Sequence, residues 1–348
     1  MFQGFRRFVF IALLVGSATI FTDTARSQDV ITLKLHHFLP AVSNTHANML
    51  VPWAKKVEEE SGGKLKIEIY PSMQLGGAPP QLAGQARDGV VDMVWTLPGY
   101  TPGQFPRTEV FELPFIHSST VATTMAINEF AANHPEDFKG YKIIALHVHG
   151  GNSFHSRKPI KTAADLKGTK IRTPTRTGAW MIEAMGATPI GAPVPKIPEM
   201  LSKGIVDSVL IPFEIVPALK VNELVDDHAV LGDPKVTRIN TSTFMFVMNR
   251  ARYDALPPNL QKVIDNNSGL NIARWVGEIW DEAELRGVSL SAETGQIVSI
   301  PPSEVAKLRK ATEKPVADRW VKEVTENGID GAALLEEARA LIKKNAVP

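Results

Sequence analysis

Apolar and polar residues alternate in two early segments, Ile31-Thr-Leu-Lys-Leu35 and Leu65-Lys-Ile-Glu-Ile69, and each alternation predicts a half-buried strand. Between them Met49, Leu50, Trp53, Ala54 and Val57 recur at helical spacing, with Glu58, Glu59 and Glu60 left to solvent. A helix is therefore expected over residues 45–60, stopped by Gly62-Gly63. A second helix is expected over about 80–88, and the largely apolar run 90–95 predicts a buried strand. Strand, helix, strand, helix, strand is the rhythm of a parallel α/β sheet covered by helices. The Pro/Gly-rich stretch 96–103 follows the third strand at its carboxyl end, where loops more often build sites than link elements. A helix over 121–134 and a buried strand over 142–148 complete this first series.

Gly150-Gly151-Asn152 then changes the texture of the chain and is expected to be a hinge. A second series follows, with strands over 153–157, 170–172, 188–192 and 206–211 and helices over 178–185 and about 197–203. After an exit segment at 214–227, the run Thr243-Phe-Met-Phe-Val-Met248 predicts a buried strand returning to the first series. Apolar residues at helical spacing from 257 to about 290 predict one long helix spanning both units, kinked at Gly269. A strand at 296–300 and helices ending near Gly328 and Lys344 close the chain. The pattern as a whole predicts an α/β protein of two lobes with a cleft between them.

The ends and the composition narrow its setting. Arg6 and Arg7 precede an apolar run over 8–20, and small residues flank a cleavage point after Ser27, so residues 1–27 read as a secretory signal peptide. The run is too short for a comfortable membrane span, and no later segment is longer. Loss of 1–27 takes the formal charge from +1 to −1, which argues against a nucleic-acid partner. The chain has no cysteine, so an exported form rests on an ordinary core without disulfides, thiol nucleophiles or thiolate metal sites.

Candidate chemistry concentrates at Arg172, at the carboxyl end of a predicted strand just before a predicted helix, an edge where α/β sheets bind ligands. Its guanidinium there suits a carboxylate through two parallel hydrogen bonds, aided by the helix N-terminus. On its own, such an arginine fits a structural salt bridge better. His36-His37 and His147-x-His149 have metal-ligand residue types but no matching carboxylate or cysteine spacing, so no metal site is expected. His37 and His149 are retained as neutral N–H donors to a ligand. No Gly-x-Ser-x-Gly, His-Glu-x-x-His or phosphate-cradling glycine run argues for an enzyme.

Several segments together resemble the periplasmic solute-binding proteins of tripartite ATP-independent periplasmic (TRAP) transporters, of the DctP, C4-dicarboxylate-binding type. They are Trp53-Ala-Lys-Lys-Val-Glu58, Gly62-Gly-Lys-Leu65, Tyr70-Pro-Ser-Met-Gln-Leu-Gly76, Arg87-Asp-Gly-Val-Val-Asp92, Phe111-Glu-Leu-Pro-Phe115, Asp165-Leu-Lys-Gly-Thr-Lys-Ile-Arg172 and Met185-Gly-Ala-Thr-Pro189. The resemblance implies a type II-like periplasmic binding protein that closes about a hinge, needs no cofactor and delivers an organic acid to small and large permease subunits in the membrane. It implies lobe I from 28–149 and 238–282, lobe II from 150–237 and 283–348, and a carboxylate clamp at Arg172. Where polar-substrate members present Asn, Glu or Gln, this chain places Phe38, Leu97 and Ile211, and Phe213-Glu214 follow. Trp95, Asn152 and Phe154 fall beside the expected cleft, although Trp95 and Phe154 fit equally as core residues. Unpaired sugar hydroxyls would each cost about 1–3 kcal/mol in such a site. An apolar or aromatic 2-oxo or 2-hydroxy monocarboxylate is therefore expected. The alternatives are a C4-dicarboxylate, with Arg176 or a histidine on its second carboxylate, and a secreted α/β enzyme acting on a carboxylic acid.

Overall fold

The computed structural model describes residues 30–232 and 238–346, together with Met1; the expected signal peptide lies outside the described residues. In chain order the strands are β1 (Ile31–His37), β2 (Leu65–Tyr70), β3 (Met93–Thr96), β4 (Tyr141–Val148), β5 (Ser153–Ser156), β6 (Lys170–Thr173), β7 (Thr188–Gly191), β8 (Ser208–Ile211), β9 (Asp227–Leu231), β10 (Thr243–Asn249) and β11 (Gln296–Ile300). The α-helices are α1 (Val51–Glu60), α2 (Leu82–Arg87), α3 (Thr120–Asn133), α4 (Arg176–Ala184), α5 (Ile197–Ser202), α6 (Arg250–Asp254), α7 (Pro258–Asn266), α8 (Leu270–Thr294), α9 (Pro302–Glu326) and α10 (Gly331–Asn345). No helix among the described residues is long and apolar enough to cross a membrane.

Two sheets form, in the orders β2-β1-β3-β10-β4 and β11-β9-β5-β8-β6-β7. β1 pairs in parallel with β2 and β3, and the alternation of its sequence sends Leu33 and Leu35 into the core. The first sheet is mixed rather than all-parallel. β10 re-enters it from the other lobe, runs antiparallel to both neighbours and separates β3 from β4. In the second sheet β6 pairs in parallel with β7 and β8, while β5 runs antiparallel to β8 and β9. The carboxyl ends of β1 and β3 in one lobe and of β6 and β8 in the other border a shared cavity, the arrangement expected for ligand sites in open α/β sheets.

The lobes are joined by residues 149–152 and 238–242, which run side by side. Asn152 N–H donates to Asn240 O at 2.8 Å and Thr241 Oγ1 to His149 O at 3.0 Å. Helix α8 is the third connection. Its 25 residues extend about 37 Å at 1.5 Å per residue. It packs on α3 of the first lobe and on residues 213–215 of the second. Gly277 and Gly287 permit both approaches, since a Cβ would stand 2.7 Å from Val121 Cα and 2.2 Å from Phe213 O.

Several sequence expectations change. The long helix is two helices, because Gly269 adopts φ +57° and donates its N–H to Ile144 O at 2.7 Å, ending the α7 ladder. Residues 45–50 form a wide π-turn ahead of α1. Val90 is exposed and the strand begins only at Met93. Strand β9 lies at the end of the segment read as an exit loop. Finally α10, assigned by sequence to lobe II, packs on α3 and so belongs with the first sheet.

Candidate functional site

Strand β6 alternates around the sheet: Ile171 enters the core and Arg172 takes the opposite face, one residue before the strand ends. Pro174 stops the ladder, and Thr175 caps α4 by accepting Gly178 N–H at 3.1 Å. Arg172 is 1% exposed. Its Nε and Nη2 both donate to Ala192 O, at 2.8 and 2.6 Å, and Nη1 reaches Leu210 O only at 3.5 Å. The Nε edge of the guanidinium is thus held by backbone, and the Nη1/Nη2 end remains for another partner. Among the described residues no carboxylate pairs with it. Burial draws its pKa down to about 10, with the Tyr100 hydroxyl beside it pulling the other way. A buried charge without a counter-ion costs several kcal/mol, so this arginine is set to gain from an anion.

The cavity in front of Arg172 has mostly apolar walls. From the first lobe, Trp95 stacks on Phe244 with centroids 4.8 Å apart and planes at 14°, and Phe38 lies 5.1 Å from Trp95 and 5.5 Å from Tyr100. Trp95 Nε1 donates to His147 Nε2 at 2.9 Å, so the indole is satisfied and offers the cavity only apolar surface. Leu97 adds to this wall and Ile211 faces it from the second lobe. Tyr100 Oη accepts Val194 N–H at 2.9 Å across the lobes and keeps its own hydrogen beside Arg172.

Of the residues singled out in the sequence, Arg172, Phe38, Trp95, Leu97, His149, Asn152, Ile211 and Glu214 border this one cavity. His37, Phe154 and Phe213 do not. His37 Nε2 lies 3.0 Å from His46 Nδ1 and its Nδ1 accepts Leu39 N–H, so the ring faces its own loop. Phe154 belongs to the buried core of β5, and Phe213 packs on His155, 4.8 Å between centroids. His149 lines the cavity, yet its ring nitrogens are turned to the crossing segments, with Gly151 N–H at 3.0 Å from Nδ1 and Ser242 N–H at 3.2 Å from Nε2. Its surface toward a ligand is ring carbon. Asn152 Nδ2 donates to Asn240 Oδ1 at 3.1 Å, which leaves its carbonyl oxygen available. No group of three or more His, Asp or Glu side chains among the described residues is placed to hold a metal ion.

Arg176 is committed elsewhere. It bonds Glu109 at 2.5–3.0 Å and also Glu323, tying α4 to residues of the first lobe and to α9. Beside it, the buried Glu112 accepts from Thr243 N–H and Oγ1 at 3.0 and 2.9 Å and from Thr177 Oγ1 at 3.2 Å, linking the crossing strand to α4. These bonds hold the lobes together over the cavity.

Two wall residues carried no individual sequence signal. Tyr100 stands in the Pro/Gly-rich loop already singled out, but only the turn at residues 98–100 aims it inward. Phe244 lies on the returning strand, where both faces are buried and periodicity assigns no side.

The chain matches the family model described as bacterial extracellular solute-binding protein, family 7, over residues 35–323. A solved TRAP solute-binding protein from Rhodoferax ferrireducens, in complex with copurified benzoate, is 46% identical, with a TM-score of 0.88 over 91% of this chain and 99% of that one. A marine-metagenome TRAP solute-binding protein specific for aromatic acid ligands, solved with 3-hydroxybenzoate, is 42% identical, with a TM-score of 0.89 over 92% of this chain and 100% of that one. Among curated proteins, an outer membrane transporter protein, TsaT, of Comamonas testosteroni is 25% identical over 99% of this chain and 100% of its own length. With a two-lobe fold, an interlobe cavity and a family match across most of its length, the chain belongs to the family 7 extracellular solute-binding proteins that serve TRAP transporters.

Proposed function

We propose that this protein captures an aromatic monocarboxylate outside the cytoplasm and delivers it to the membrane permease subunits of a TRAP transporter. The observation that carries the reading is Arg172, buried without a counter-ion among the described residues at one end of an apolar, aromatic-walled cavity. The Nη1/Nη2 end of the guanidinium and the Tyr100 hydroxyl supply donors for one carboxylate, and Phe38, Trp95 and Phe244 supply stacking surface for a ring. Closure of the lobes around the ligand would keep this pair out of water, where it is strongest. The relatives that hold benzoate and 3-hydroxybenzoate support the same class.

A C4-dicarboxylate fits less well. Arg176 is engaged by Glu109 and Glu323, and burial holds the neighbouring His149 neutral, so the described cavity has no second cation for a second carboxylate. A thermal-shift screen of organic acids tests the reading. Benzoates, phenylacetates and mandelates should raise the melting temperature, since a ligand at 100 times its Kd adds about 2.7 kcal/mol. Stabilisation by succinate or malate alone would point to the dicarboxylate. Chemical turnover of the bound acid would instead favour the enzyme reading.

A further inference from the structure

The cavity has a second polar pole, and nothing among the described residues satisfies it. Glu214 follows the carboxyl end of β8 and lines the cavity, and its Oε2 is buried without a hydrogen-bond partner. Its own backbone N–H donates to Glu284 Oε2 at 3.1 Å. Glu284 in turn accepts from Arg238 Nη2 at 3.0 Å, and Arg238 forms no ion pair with Glu214. The groups that act on Glu214 are thus another carboxylate and an apolar wall. Arg172, in the same cavity, forms no ion pair with it. Were Glu214 ionised, its bare charge would sit beside Glu284 in a site that admits little water. Burial and the Glu284 charge push the Glu214 carboxyl up to about 8, so it is an acid with its proton at neutral pH. A neutral carboxyl carries one O–H donor and a carbonyl acceptor, and both look for a partner inside the cavity.

We propose that Glu214 selects among aromatic acids by hydrogen-bonding a ring hydroxyl, so that the preferred ligand is a hydroxyaryl carboxylate with its carboxylate on Arg172. The inference rests on the reading of the cavity as an aromatic monocarboxylate site and adds a second anchor to it. The ligand then meets the two poles at once: a carboxylate to the guanidinium, a phenolic hydroxyl to the un-ionised acid, and the ring between them against Phe38, Trp95 and Phe244. A site built to pair a hydroxyl discriminates against the analogue that lacks it, because its own polar group is then left unpaired. An ammonium substituent would demand the opposite protonation state of Glu214 and is not the expected group.

Calorimetric titration of benzoate, 3-hydroxybenzoate, 4-hydroxybenzoate and 4-(aminomethyl)benzoate into the wild type, Glu214→Gln and Glu214→Leu tests this. The wild type should bind one hydroxybenzoate at least about tenfold tighter than benzoate. Glu214→Gln, which keeps a neutral donor and acceptor, should retain that preference. Glu214→Leu should reduce it below about threefold. Equal affinities for benzoate and both hydroxybenzoates in the wild type would overturn the proposal. So would a preference that survives in Glu214→Leu or is lost in Glu214→Gln, or tightest binding of the aminomethyl compound. Should Glu214→Leu fail to fold, the wild-type ranking and Glu214→Gln still decide. Failure of all four acids to bind the folded wild type would instead refute the parent reading of the cavity.

Discussion

Arg172→Ala is expected to weaken binding of an aromatic carboxylate by at least about 100-fold while the protein remains folded. Removing one member of a buried, hydrogen-bonded charge pair costs about 3–5 kcal/mol, because the other charge is left in a site without water; that is a factor of about 150 or more in Kd. The effect on folding is much smaller. The free protein already bears the cost of an unpaired buried guanidinium, and its loss relieves that cost. Against this stand the hydrogen bonds to Ala192 O and Leu210 O and the space the stem fills. Arg172→Met, which keeps most of the stem, separates the charge from the packing and should lose binding to the same degree. Titration of benzoate together with a melting curve reads both quantities. Affinity retained within about tenfold, or 1.4 kcal/mol, would place the clamp elsewhere.

The second large effect is a steep loss of stability in mild acid. Burial holds His37 and His147 near 3 and His117 and His228 near 4, with His149 and His155 well below the usual imidazole range. Neighbouring charges add to this: His46 and His36 at His37, Arg238 at His117, His117, His147 and Arg238 at His149, and His228 and Arg238 at His155. In the unfolded chain each of these rings takes up a proton near 6.5, so the unfolded state gains protons that the native state refuses as pH falls from about 6.5 toward 4. Buried carboxyls work in the other direction, and burial raises Glu109, Asp137, Asp281 and Glu284 as well as Glu112 and Glu214. Glu112, raised to about 7, and Glu214, raised to about 8, hold protons in the native state that the unfolded chain takes only near 4.5. Their contribution is fully present below 4.5 and is lost as pH rises through 7 and 8. The net uptake is the difference between the six rings and these carboxyls, and each net proton is worth about 1.4 kcal/mol per pH unit. Two net protons over one and a half units cost about 4 kcal/mol, a large share of the 5–15 kcal/mol that typically holds a domain together. Chemical denaturation at pH 7, 6 and 5 should show stability collapsing toward pH 5. A stability that is flat over this range would mean that these rings titrate as they do in water.

Much of the architecture was legible because its signals are local. Alternation located β1 and β2, helical spacing located α1 and α3, and the arginine at the end of β6 stood where α/β sheets place their ligands. What escaped was set by distant partners. The antiparallel place of β10 between β3 and β4 follows from a chain that leaves and returns, and the run Thr243–Asn249 reads the same in either direction. β9 is five residues long and owes its strand to β5 and β11 on either side. In strands buried on both faces, composition gives no facing, so Phe154 could be set in the cavity and Phe244 passed over. The isolation of Arg172 from any carboxylate depends on where Glu109 and Glu323 turn, toward Arg176 instead, and no spacing in the sequence encodes that.

The central claim is that a buried arginine without a counter-ion holds the single carboxylate of an aromatic acid. Titration of the wild-type protein with benzoate, benzamide and succinate at one pH and salt concentration tests it most directly, because the three differ in charge, ring and number of carboxylates. Benzoate should bind at least about 100-fold tighter than benzamide, which fills the same volume without the charge, and tighter than succinate by a similar margin. Benzamide matching benzoate, or succinate binding tighter than either, would contradict it.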